Sequence, residues 1–302
     1  MLIGFIGITE TTTNLIYMLI QNKVNADFLI IDHNFAKAKT IIDEFNLLIN
    51  HKKCQNKIKF ADFSSLKMAN ILIIESDQNL VPGMSLNDLA LETAEWIYKI
   101  SYQVLHASFN GITFILGHNS GILCKIFSAA TGLIGKKVFG IGSNLENIEL
   151  NLALEKVEQA TKGQVFALGD YSQAFFVGKN LRKNGFSDSK IDKFEAILEK
   201  INSENLQNFL HKSRKNLFSA LIIAEILIAI ITEDEKFFLL NCWVESFYSI
   251  KNDFFSLPVK IDKTGQVELK NLELDQIDEQ KLNRFVWQKN DLLDLISKYL
   301  RK

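Results

Sequence analysis

Short apolar runs alternate with stretches of helical spacing over the first 116 residues, and no other feature restricts the fold as much. Residues 2–7 (Leu-Ile-Gly-Phe-Ile-Gly) read as a strand ending in glycine. Residues 11–22 then place Leu15, Ile16, Met18 and Leu19 at helical intervals. A second strand, Phe28-Leu29-Ile30-Ile31, closes on Asp32, and a helix follows through Ala36, Ala38, Ile41, Ile42 and Phe45. Further strands fit 58–60, 71–74 and 112–116, with an amphipathic helix over 85–107. Strands separated by helices need crossover connections and therefore pair in parallel. Runs that are apolar on both faces need cover on both sides. The pattern predicts an α/β fold with a Rossmann-type doubly wound parallel sheet.

After residue 142 the rhythm changes. Helical spacing covers 145–160, 189–201 and 204–231, with a short strand at 164–168. Antiparallel strands fit 237–243, 257–261 and 267–269, with a turn at Lys263-Thr264-Gly265, and a last helix covers 276–300. A chain of 302 residues is long enough for two cores. The expected division is a Rossmann domain over 1–142 and an α+β domain over 143–302. The longest apolar run, 217–231, contains Glu225 and falls short of the roughly 20 residues a membrane span needs. It is expected as a buried helix, with no membrane partner. A net charge of −1 argues against nucleic acid, which demands clustered positive charge. The N-terminus has no basic run before its apolar start, so it is not read as a signal peptide. Cys54, Cys124 and Cys242 are scattered, which suits free thiols in the cytoplasm and gives no metal spacing.

The order of several short motifs resembles the lactate/malate dehydrogenase family along nearly the whole chain. Ile30-Ile31-Asp32 before Ala36-Lys37-Ala38 is similar to the end of that family's second strand. Ala61-Asp62-Phe63 with Leu66-Lys67-Met68-Ala69-Asn70 resembles its Gly-Asp-Tyr…Leu-Lys-Asp-Ala-Asp stretch. Pro82-Gly83 resembles its mobile substrate loop, and Asn110-Gly111 with Asn119 its Asn-Gly and Asn-Pro-Val-Asp motifs. Gly140-Ile141-Gly142-Ser143-Asn144-Leu145 and Phe255-Ser256-Leu257-Pro258-Val259 resemble Gly-Ser-Gly-Thr-Asn-Leu and Phe-Ser-x-Pro-Val. The segment 164–172, ending Gly169-Asp170-Tyr171-Ser172, resembles the strand and turn that carry Gly-Glu-His-Gly-Asp.

The resemblance implies an NAD-dependent hydride transfer, yet the positions that would perform it are altered. The dinucleotide turn matches Gly7-x-Thr9-x-x-Thr12, and only its first glycine remains. Thr9 brings a branched side chain to where phosphate would approach bare backbone, and Thr12 crowds the helix–strand contact. Glu10 adds negative charge at the helix start, where the dipole favours a bound anion. The family's Thr-Ala-Gly-Ala turn reads Glu75-Ser76-Asp77-Gln78. Asp32 suits the adenosine ribose hydroxyls or, equally, a strand-end cap. The expected cofactor is NAD, bound weakly or not at all.

By position, the family's proton-carrying histidine falls on Tyr171 and its orienting aspartate on Glu146. Its loop arginine falls on Leu86 and its carboxylate-gripping arginine on Glu149. Asn119 falls on the asparagine beside substrate and cofactor, and Lys215 near the substrate-facing threonine. Tyrosine, with a pKa near 10, is a poor proton shuttle at neutral pH. Glu149 reverses the charge that would clasp a carboxylate. If Asn119 faces the pocket, strand alternation sends His118 away from it. His33, His51, His106 and His211 form no triad or metal spacing. The expected role is a diverged family member in binding or regulation, as a homo-oligomer (dimer or tetramer) or with an active relative. The alternative is an NAD-dependent oxidoreductase on a neutral or cationic hydroxy/oxo substrate, with Tyr171 as acid beside Lys215.

Overall fold

The computed structural model describes residues 1–302 except 77, 79, 134–136, 158–164, 211–215 and 302. Six strands alternate with helices in the first half: β1 (Leu2–Ile6), β2 (Asp27–Ile31), β3 (Ile58–Phe60), β4 (Ile71–Glu75), β5 (Ile112–Leu116) and β6 (Val138–Gly140). Between them run α1 (Glu10–Gln21), α2 (Phe35–Lys52), a 3-10 turn at Phe63–Met68, α3 (Leu86–His106) and α4 (Ser120–Thr131). The strands lie parallel in the spatial order β3-β2-β1-β4-β5-β6. This is the doubly wound order, which reverses between β1 and β4, and ligands of such sheets bind beyond the carboxyl ends there.

Alternation along each strand sends side chains to two cores. Ile71 and Ile73 of β4 pack with α1 and α2 through Leu15, Ile16, Ala38 and Ile42. Leu72 and Ile74 pack with α3 and α4 through Ala94, Ile97, Ile122 and Phe127.

The second half contains α5 (Asn144–Val157), β7 (Phe166–Leu168), β8 (Phe175–Val177), α6 (Lys179–Lys183), α7 (Asp188–Leu210) and α8 (Asn216–Thr232). It ends with β9 (Phe238–Phe247), β10 (Ile250–Ile261), β11 (Val267–Leu269) and α9 (Gln276–Leu300). The last three strands are antiparallel and extend the first sheet through the pair Gly140↔Asn241. β7 and β8 form a hairpin whose connection carries Gly169 to Ala174. A third core beneath it joins Leu150, Leu154, Phe176, Phe194 and Leu198.

Elements α4, β6, β8 and α6 are absent from the sequence expectation, β10 begins at Ile250 rather than 257, and two further elements depart from it. The spacing suggests a break near residues 202–203, yet α7 is continuous. Asn202 is held there by its amide, whose Nδ2 donates to the carbonyl of Ala174 at 2.7 Å. The run 217–231 is helical as expected and packs on α1, but Leu217 is 63% and Leu221 38% exposed, so one stripe of α8 stays open. Among the described residues no helix is long and apolar enough to cross a membrane.

Candidate active site and cofactor seat

The register Ile6↔Ile74 sets the next residues, Gly7 and Glu75, side by side at the switch point. Gly7 has φ +89, and a Cβ there would stand 2.0 Å from the Glu75 carbonyl oxygen, so only glycine fits. Thr9 caps α1. Its hydroxyl accepts from the Thr12 amide at 3.2 Å, and the Thr12 hydroxyl accepts from the Thr9 amide at 2.8 Å, a reciprocal capping box. The Thr9 hydroxyl in turn donates to Oε2 of Glu75, which is only 6% exposed. The Thr9 side chain therefore stands in the cradle that a second glycine would leave as bare backbone.

Asp32 serves the same turn. Its Oδ2 accepts from the Ile8 amide at 2.7 Å and its Oδ1 from the Asn34 amide at 2.7 Å. Lys37 Nζ donates to the Ile8 carbonyl. On the far flank, Asn216 Nδ2 donates to Glu10 at 2.8 Å, and Thr11 donates to Asn216 Oδ1 at 3.3 Å. The first turn of α1 is thus covered from β4 and from α8.

Below this seat lies a cleft of about 60 Å3, lined on its polar side by Thr11, Glu75, His118 and Asn216 and on its apolar side by Ile141 and Phe209. That is room for a few waters. Tyr171, on the hairpin connection, lines the same cleft. Its hydroxyl donates to the Asn205 carbonyl at 3.3 Å. Glu146 does not orient it. Glu146 Oε1 accepts from the Ser172 amide at 2.9 Å and from Asn205 Nδ2 at 3.0 Å, and that Nδ2 also reaches Glu149 Oε2 at 3.2 Å. Glu146 is fully buried, and burial pushes its carboxyl up to about 7. Its Oε2 and Asn205 Oδ1 are buried with no hydrogen-bond partner among the described residues.

His118 corrects the sequence reading. It lines the cleft instead of facing away, because β5 ends at Leu116 and Gly117 (φ +118) breaks the alternation. Its ring stacks on Phe209 at 5.2 Å, and Nε2 lies 3.3 Å from the Ser172 hydroxyl. Asn119 follows in the left-handed region (φ 57) as the first cap of α4. It shares a side cleft of about 30 Å3 with Leu86, the first residue of α3, and with His118 and Phe209. The His118–Phe209 stack stands between the two clefts. Lys215, and with it the expected Tyr171–Lys215 pairing, lies outside the described residues.

Spacing missed several members of this site. Ser172, which the resemblance puts on a glycine of the motif, has a left-handed φ of 57, the conformation a glycine adopts readily. Asp170 is buried, and accepts from the Gly121 amide at 3.0 Å, the Tyr171 amide at 2.9 Å and the Ser120 hydroxyl at 3.1 Å. Burial raises its carboxyl pKa. Asn205 and Phe209 come from α7, which no motif marks. Among the described residues no three His, Cys, Asp or Glu side chains are placed to hold a metal ion.

The sheet order, the turn at the β1–β4 switch and the antiparallel extension define a Rossmann-type dehydrogenase fold. No family model matches the chain. L-lactate dehydrogenase 1 of Bacillus cereus is 21% identical over 291 residues, 89% of this chain and 90% of the relative. L-lactate dehydrogenase 2 of Lactococcus lactis is 22% identical over 312 residues, covering 97% and 96%. Among solved structures, a lactate dehydrogenase from a Medee basin deep-sea metagenome library superposes with a TM-score of 0.85 at 17% identity, covering 98% of each chain. The malate dehydrogenase of Archaeoglobus fulgidus in complex with NADH gives 0.84 at 18% identity, covering 98% of this chain and all of its own. The resemblance to the lactate/malate dehydrogenase family therefore holds along nearly the whole chain, and the fold is that family's.

Proposed function

We propose that this chain is a diverged lactate/malate dehydrogenase-like protein with little or no turnover of lactate, malate or their 2-oxo acids, acting as a binding or regulatory subunit. One observation carries this reading. Asn205 Nδ2 donates to both Glu146 and Glu149, and the resemblance puts Glu149 where the family's arginine would clasp a substrate carboxylate. A glutamate in place of that arginine offers no bidentate cation to hold a carboxylate. Losing a proton carrier removes roughly 10²–10⁴ in rate, and losing one oxyanion donor roughly 10²–10³, although the two need not multiply. NAD binding is weak or absent on this reading, because Thr9 and Glu75 fill the diphosphate approach. The exposed stripe of Leu217 and Leu221 on α8 favours a homo-oligomer or a hetero-oligomer with an active relative. The described cysteines are free thiols, in keeping with the cytoplasm. An NADH-oxidation assay over pyruvate, oxaloacetate and a panel of 2-oxo acids is expected to stay silent. Robust turnover of either named acid refutes the reading.

A second reading is favoured by His118. An imidazole in the cleft is able to carry the proton that Tyr171 handles poorly. The chain is then an NAD-dependent oxidoreductase on a neutral or cationic hydroxy/oxo substrate. Its signature is turnover of an amine-bearing oxo compound that His118→Gln abolishes.

A further inference from the structure

We infer that Glu75 is a built-in surrogate for the diphosphate of a dinucleotide, holding the turn after β1 in its occupied form without a cofactor. The inference deepens the function proposed above and rests on it. A dinucleotide's diphosphate is stabilised at a helix N-terminus by backbone amides and the helix dipole. Here the same end of α1 is served from within. The Thr12 amide donates to the Thr9 hydroxyl, and that hydroxyl donates to the Glu75 carboxylate. An amide that in a dinucleotide seat faces an anion is thus connected, through one hydroxyl, to an internal anion. Burial of Glu75 to 6% exposure removes competing solvent and strengthens this link.

The geometry of the strands makes the arrangement stiff. Gly7 and Glu75 approach so closely that no Cβ fits at Gly7, and the parallel pairing of β1 with β4 up to Ile6↔Ile74 anchors the Glu75 backbone beside the turn. The remaining sides are tied down by Asp32 to the Ile8 amide and by Asn216 to Glu10. Three elements (β2, β4 and α8) therefore grip the turn that a bound dinucleotide would otherwise order. The substitution of glycine by threonine and the arrival of a glutamate from the neighbouring strand are two halves of one change. Neither supplies the link alone.

The test is rescue by the displaced ligand. Thr9→Gly/Glu75→Ala reopens the cradle and deletes the surrogate, so the double variant is expected to melt below the wild type. Millimolar NADH is then expected to raise its melting temperature by about 2–4 °C, as for a ligand tenfold above its dissociation constant, while leaving the wild type unmoved. Thr9→Gly alone keeps an acceptable helix cap and removes the bridging hydroxyl; it is expected to respond more weakly than the double variant. If the double variant does not fold, Thr9→Gly carries the test. A folded variant that ignores NADH, or a wild type that responds as strongly as the variant, overturns the inference. Unresponsive variants with a silent wild type sink only the surrogate, whereas wild-type turnover of 2-oxo acids sinks the proposed function itself.

Discussion

Glu146 is an acidic side chain sealed inside the protein. Its carboxyl is wholly buried and has one oxygen unpartnered among the described residues. Its folded pKa, about 7, lies above the ordinary value of 4.5. The folded state therefore holds this proton more tightly than the unfolded chain. The associated stability is present below about pH 4.5 and is lost as pH rises to about 7, on the order of 3 kcal/mol in all. Glu146→Gln keeps an acceptor for Ser172 and offers a donor to Asn205 Oδ1. It is expected to flatten this decline and to raise the melting temperature at pH 8 more than at pH 5. Thermal melts of both proteins at the two pH values check this, and Asp170, also raised by burial, is common to both and drops out of the difference. Tyr171→His is expected to give no pyruvate turnover, measured by NADH oxidation, because Leu86 and Glu149 remain. At this scale the sequence suggested, through the resemblance, which family side chains are replaced. It did not show His118 entering the cleft, because alternation is a rule for strands and Gly117 ends the strand.

Among the elements, α7 and the β7–β8 hairpin close the site. Asn205 joins Glu146, Glu149 and the Tyr171 hydroxyl, and Asn202 joins the hairpin at Ala174. Asn205→Ala removes two hydrogen bonds to carboxylates, each worth about 1.5–3 kcal/mol when charge-assisted. The variant is expected to lose roughly 2–4 kcal/mol of stability. Its amide exchange is expected to quicken in residues 202–210 and 169–174, and unchanged exchange in both segments contradicts the clasp. Most strands and helices of the first half were legible because each has a strong hydrophobic period. Helix α4 is buried on most sides and β8 is only three residues long, and neither was read from the sequence. The break expected in α7 came from polar residues whose partners lie far away in sequence, at Ala174.

For the whole molecule, one continuous sheet places the switch-point turn, the cleft and α8 on neighbouring elements. The exposed Leu217 and Leu221 give α8 an apolar stripe of the kind that subunit contacts cover. Leu221→Lys is expected to preserve the fold and lower the mass seen by size-exclusion chromatography with light scattering. An unchanged mass argues that α8 is not the contact. The overall fold was legible because motif order survives when individual residues change. The ligand was not, because the sequence offers no arginine or histidine at the positions where the resemblance would place them. On the proposed reading this Rossmann turn is occupied by its own chain. Calorimetric titration of the wild-type protein with NADH decides it: no saturable heat up to about 1 mM is expected, and saturable binding in the micromolar range contradicts it.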